Sequence, residues 1–124
     1  MASRVFVVDD DAAVRKALDR LLRGAGYSTC LCASAEEYLA REPGELPACL
    51  LLDIRMAGMS GLDLQRTIRG TPRSLPIVFI TGHGNDADRE QALTQGAVDV
   101  LDKPLDHVVL LAAIERALAR SLRA

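Results

Sequence analysis

Two short runs, "ACLLLD" at residues 48–53 and "PIVFITG" at residues 76–82, are apolar without alternation. A strand with one wet face alternates apolar and polar residues, and a strand covered on both faces does not. These two runs therefore belong inside a sheet that carries helices above and below it. Three further strand-like runs are "VFVV" (5–8), "YSTCLC" (27–32) and "VDVLDKP" (98–104). Helical segments fill the spaces between them. In "AAVRKALDRLLRGAG", Val14, Ala17, Leu18, Leu21 and Leu22 fall on one stripe, and Gly24 and Gly26 end it. Ser34 followed by Glu37 spells a capping box that opens "SAEEYLAR", which Pro43, Gly44 and Pro47 break. "SGLDLQRTIR" ends at Gly70 and Pro72, "DADREQALTQG" stops at Gly96, and "LDHVVLLAAIERALARSL" closes the chain. Strict alternation of strand and helix predicts an α/β fold, a single doubly wound five-stranded parallel sheet between two helical layers.

Composition bounds what such a fold does. At 124 residues the chain suits one domain with one core, and 49% hydrophobic with 26% charged residues is a globular balance. A net charge of −2 gives no reason to expect nucleic acid on this domain. No apolar run approaches the ~20 residues of a membrane span, and the N-terminus lacks a signal peptide's regions, so a cytoplasmic location is expected. The three cysteines Cys30, Cys32 and Cys49 are an odd count that argues against a disulfide framework. Cys30 and Cys32 share one strand face and read as small hydrophobes.

Parallel sheets place ligands beyond the carboxyl ends of their strands. The first strand ends on Asp9, Asp10 and Asp11, the third on Asp53, the fourth on Thr81 and Gly82, and the fifth on Lys103 and Pro104. Carboxylates gathered without His or Cys suit a hard cation, Mg²⁺ best of all. Lys103 is a compact charge for a phosphoryl oxygen. Thr81 supplies a hydroxyl for the same group, and Gly82 leaves the approach open. An Asp carboxylate can accept a phosphoryl group as a nucleophile, and Asp53, alone at its strand end, is the acceptor expected here. Asp9 and Asp10 are then left for the metal.

The chain resembles the receiver domain of two-component response regulators over nearly its whole length. The matching pieces are "VVDDD", "LLLDIRMAGMSGLDL", "PIVFITGHG" and "GAVDVLDKP". "TGHG" followed by "GAVD" and "KP" is most similar to the FixJ-like subfamily, whose members commonly join the receiver to a LuxR-type helix-turn-helix. The resemblance implies a flavodoxin-like fold with strand order 2-1-3-4-5, one receiver domain over 1–124, and any output domain beyond residue 124. It implies that Asp53 is the phosphoacceptor, Thr81 the switch hydroxyl and Lys103 the phosphate-binding lysine. Mg²⁺ is implied on Asp10, Asp53 and the backbone carbonyl of Arg55, with Asp9 behind them or reaching the ion through a water. Asp11 falls where the family often has another acid, outside the ligand set. Gly82 and Ala57 surround the phosphoryl group, and the Lys103–Pro104 bond is a cis candidate.

The implied function is a phosphorylation switch and not an enzyme. A sensor histidine kinase donates the phosphoryl group, and the surface of the fourth helix, fifth strand and fifth helix then changes. DNA is reached only through an output domain. Two departures stand out. Val100 replaces the Tyr or Phe common three residues before the lysine, and a stiff, short side chain implies that backbone shifts carry the Thr81 signal. Ala57 replaces the Pro of "RMP", which loosens the loop. Arg55 and His83 match the family's tuners of phosphoryl lifetime, although a solvated loop histidine explains His83 equally. His107 is a structural residue at the start of the last helix. "VVLLAAI" (108–114) carries more apolar surface than one core face needs, which points to a homodimer through the fourth helix, fifth strand and fifth helix, or to an output domain.

Three alternatives fit less of the chain. A haloacid-dehalogenase-like phosphatase shares the Asp9-x-Asp11 spacing, but Ala-Ala-Val follows where that family has Gly-Thr. A nucleotide binder on a similar sheet needs a glycine-rich turn after the first strand, and "DDDAAV" has none. A receiver-like docking module that is never phosphorylated rests on Val100 alone.

Overall fold

A computed structural model describes residues 3–42, 44, 47–82 and 85–123. Pro43 and His83, singled out above, lie outside the described residues. The elements alternate as expected: β1 (Arg4–Val8), α1 (Ala12–Gly24), β2 (Ser28–Cys32), α2 (Ala35–Leu39), β3 (Ala48–Asp53), α3 (Gly61–Ile68), β4 (Ile77–Thr81), α4 (Asp86–Thr94), β5 (Asp99–Asp102) and α5 (His107–Arg123). All strand pairs are parallel and the order is β2-β1-β3-β4-β5. The chain reverses its direction of travel across the sheet after β2, so β1 and β3 lie side by side with Val8 level with Leu52. Their carboxyl ends form the crevice that such a switch of strand order creates.

The missing alternation in the central strands has a direct cause. Phe6, Val8, Leu50, Leu52 and Phe79 point into one core with Tyr38, Leu64, Ile68 and Ala92 of α2, α3 and α4. Val5, Val7, Leu51, Val78 and Ile80 point into the other with Leu18 and Leu22 of α1 and Leu110, Ile114 and Leu118 of α5. Every residue of β3 and β4 is buried. At ~1.5–3 kcal/mol for each large side chain buried, these two cores fix the strand ends in place.

Helix entries follow local chemistry, with small departures from expectation. Ser34 accepts from the Glu37 N–H at 3.0 Å, but the Glu37 carboxylate reaches back to Ala33 N at 3.2 Å. That is half of the expected capping box. The complete box is at α3, where Ser60 and Asp63 cap one another. The last helix begins at His107, two residues after the expected Leu105, because Asp106 accepts from Val108 N and Val109 N. Cys32 and Cys49 are buried, and burial pushes both thiols up to about 12. Cys32 is a buried core residue, as expected, while Cys30 is half-buried and packs against the same core.

Candidate functional site

The three acids that end β1 separate into three roles. Asp11 leaves the cluster: its carboxylate caps α1, accepting from Ala13 N at 2.9 Å and Val14 N at 3.4 Å. Asp9 turns inward and is fully buried. Its Oδ1 accepts from Asp11 N at 2.9 Å, its Oδ2 from Lys103 Nζ at 3.0 Å, and its carbonyl from Arg15 Nη1 at 2.7 Å. Asp10 turns outward and accepts from Ala57 N at 3.2 Å. Ala57 thus contributes its backbone, joining the loop after β3 to the end of β1.

Asp53 ends β3 and is 5% exposed. Arg55 N donates to its Oδ1 at 3.3 Å, and Lys103 Nζ stands 3.7 Å from its Oδ2. Asp9, Asp10 and Asp53 each bring a carboxylate oxygen to within 4.8 Å of the others. Burial, then the charge of Asp9, push the Asp53 carboxyl from an ordinary 3.8 up to about 6, against the pull of Lys103 and the Arg55 N–H. For Lys103, burial opposes the charge, but the Asp9 hydrogen bond and the Asp53 and Asp9 charges outweigh it and raise its pKa. Three carboxylates against one ammonium leave two uncompensated negative charges, the amount one divalent cation cancels. The donor set is all oxygen, which fits a hard ion such as Mg²⁺.

Across the crevice, β4 ends on Thr81, whose hydroxyl is buried and has no hydrogen-bond partner among the described residues. A buried hydroxyl without a partner is costly and rare. Thr81 also accepts, through its carbonyl, from Lys103 N at 2.8 Å, so the ends of β4 and β5 are tied. The Lys103–Pro104 bond is cis. Gly82 is exposed, and a methyl group there would meet only Lys103 Cδ at an ordinary 3.9 Å. Val100 is buried beneath α4, its carbonyl accepting from Arg89 Nη1 at 2.7 Å. The structure thus brings Asp9, Asp10, Asp53, Ala57 and Lys103 into direct contact. Thr81 and Gly82 line the same mouth. Val100 stands apart, on the side of β5 that faces α4.

Three positioning residues were not anticipated. Gly61 approaches the end of β3 so closely that a Cβ there would lie 2.2 Å from the Asp53 carbonyl oxygen. Its N–H donates to Ile54 O at 2.8 Å, which folds the 54–60 loop back onto the acceptor strand. Arg15 orients Asp9, and Asp88 of α4 holds the Arg55 side chain at 2.8 Å. The glycine in "SGLDL" was a visible signal. The Arg15 hydrogen bond to a backbone carbonyl and the Arg55–Asp88 ion pair had none.

The sequence profile of the response regulator receiver domain matches residues 5–115. The chain belongs to the response regulator receiver domain family. It is 42% identical over 117 residues to the response regulator protein TodT of Pseudomonas putida, covering 94% of this chain and 52% of that protein. It is 37% identical to the transcriptional regulatory protein FixJ of Bradyrhizobium diazoefficiens, covering 94% of this chain and 57% of that one. The crystal structure of FixJ-N superposes with a TM-score of 0.87 at 37% identity, over 96% of this chain and 95% of that one. The expected likeness to FixJ-like receivers and the flavodoxin-like strand order are therefore both borne out. The receiver domain spans about half the length of the curated relatives it matches. Receiver domains bind Mg²⁺ at an acidic cluster, and Asp9, Asp10 and Asp53 form such a cluster here. Among the described residues no helix is long and apolar enough to cross a membrane.

Proposed function

We propose that this receiver is a phosphorylation switch that takes a phosphoryl group on Asp53 from a sensor histidine kinase. The observation that carries the reading is Lys103, whose ammonium sits 3.0 Å from Asp9 and 3.7 Å from Asp53 at the mouth of the three-carboxylate cluster. It is already placed where a phosphoryl oxygen on Asp53 would need a cation. In the transfer, an Asp53 oxygen forms the new bond to phosphorus. The phosphorus–nitrogen bond of the donor phosphohistidine breaks, and the electron pair stays on the imidazole. Lys103 neutralises charge on the transferring group. Asp10, Asp53 and the Arg55 carbonyl would hold Mg²⁺, with Asp9 behind them, and the ion supplies the remaining charge neutralisation. Thr81 turns its unpartnered hydroxyl to the phosphoryl oxygens.

The response passes to the surface of α4, β5 and α5. Val108 and Val109 of α5 are 78% and 48% exposed and offer apolar contacts to an output domain or a second copy. Through an output domain, by analogy with the transcriptional relatives, the switch controls transcription. The test is incubation with Mg²⁺ and a small acyl phosphate, followed by intact mass, with Asp53→Asn alongside. One added phosphoryl group, dependent on Mg²⁺ and absent from the variant, is the expected result. A gain that persists in the variant overturns the assignment of the acceptor.

A further inference from the structure

Helix α4 stands on very little apolar footing. Of its nine residues only Ala92 is buried, whereas α3 buries Leu62, Leu64, Gln65 and Ile68 after Gly61. Polar ties hold it instead. Gln65 Nε2 donates to Ala92 O at 3.1 Å. On the far side, Arg89 donates to Val100 O at 2.7 Å and to Asp102 Oδ2 at 2.9 Å. On the near side, Arg55 Nη2 donates to Asp88 Oδ2 at 2.8 Å.

The last tie differs from the others because of where it begins. Arg55 is two residues after Asp53, and its own N–H donates to the Asp53 carboxylate. Asp88 lies in the first turn of α4, where the helix dipole already favours a carboxylate, and it is 19% exposed. The Arg55 side chain is 61% exposed. One end of the pair is seated in the first turn of α4, and the other is a long, solvent-exposed cation on the loop that follows Asp53.

We propose that Arg55 and Asp88 form a charge latch that reports the load on Asp53 to α4. The inference rests on the phosphorylation reading above. Phosphorylation replaces the single charge of the Asp53 carboxylate by the ≈ −1.5 to −2 charge of a phosphoryl group, carried further out toward Arg55, where it competes with the single charge of Asp88 for the guanidinium. Asp88 then loses its partner, and α4 keeps its ties through Ala92 O to Gln65 and through Arg89 to Val100 and Asp102. A helix so poorly packed responds to the loss by opening or shifting. A partly exposed pair is worth little, so the latch shifts the α4 opening equilibrium by roughly three- to five-fold.

Hydrogen exchange of the α4 amides tests this in the resting domain, in the phosphorylated domain, and in Arg55→Ala, Asp88→Asn and the double variant. Glu90→Gln, an exposed charge change on the same helix, is the control. Each latch variant is expected to speed resting exchange three- to five-fold, the double variant no more than either single one, and Glu90→Gln not at all. Raising the salt to 1 M should bring the wild type toward the variants. Phosphorylation, verified by intact mass, should speed α4 exchange in the wild type and add little in Arg55→Ala. Unchanged resting exchange in the single variants, or additive effects in the double one, overturns the latch. A wild type that gains no phosphoryl mass counts against the phosphorylation reading, while the resting-state comparison still decides the latch.

Discussion

Asp53 is a carboxyl group held where its own charge is unwelcome. Burial and the neighbouring Asp9 raise it to about 6, so the folded state holds its proton far more tightly than the unfolded chain does. Such a group adds no penalty below about pH 4, where it is protonated in both states. As pH rises from about 4 to 6 the unfolded chain releases the proton while the folded state still holds it, so stability falls, and above 6 the loss is complete. Replacing Asp53 by Asn is therefore expected to stabilise the metal-free domain at pH 7.5 by about 2–3 kcal/mol. The gain should shrink toward zero near pH 4. Urea denaturation of both proteins in chelator across that range measures it, and an equal effect at every pH would contradict the burial argument. Lys103 offsets only part of the acidic excess, and this is why Asp53 is poised to gain from any cation that arrives.

At the scale of elements, the decisive piece is the loop from β3 to α3. Gly61 carries it back across the acceptor strand with no room for a side chain. Gly61→Ala should cost about 1–3 kcal/mol as an overpacking change. It should also weaken Mg²⁺ binding several-fold, because the Asp53 carbonyl has to move. Urea denaturation and calorimetric titration separate the two effects, and a stable variant with unchanged Mg²⁺ affinity would contradict the role given to this contact. The strands were legible because burial on both faces leaves a mark in the sequence, an apolar run ending on a polar residue. The caps were half legible. Ser34 spells its cap, whereas Asp11, outside the expected ligand set, stands in a run of three acids in which nothing marks it as the helix cap. Arg55–Asp88 was invisible, because nothing in the order of residues 55 and 88 says that their elements meet.

The whole molecule is a sheet whose two cores hold four strand ends rigid around a charge imbalance. Its apolar burial is complete in β3 and β4 and nearly absent in α4, so stiffness at the acceptor and compliance at the surface coexist in one domain. Mg²⁺ at 100 times its dissociation constant should stabilise the fold by about 2.7 kcal/mol. Thermal melts should show that shift in the wild type and lose most of it in Asp10→Asn. An equal shift in both would place the ion elsewhere.

Asp53 carrying the phosphoryl group is the central prediction. Reduction of the phosphorylated domain with borohydride converts an aspartyl phosphate to homoserine, and peptide mass spectrometry then locates it. Homoserine at position 53 alone, formed only when Mg²⁺ was present, is the predicted result. Homoserine at Asp9 or Asp10, or at none of the three positions in a domain that has gained phosphoryl mass, would contradict it.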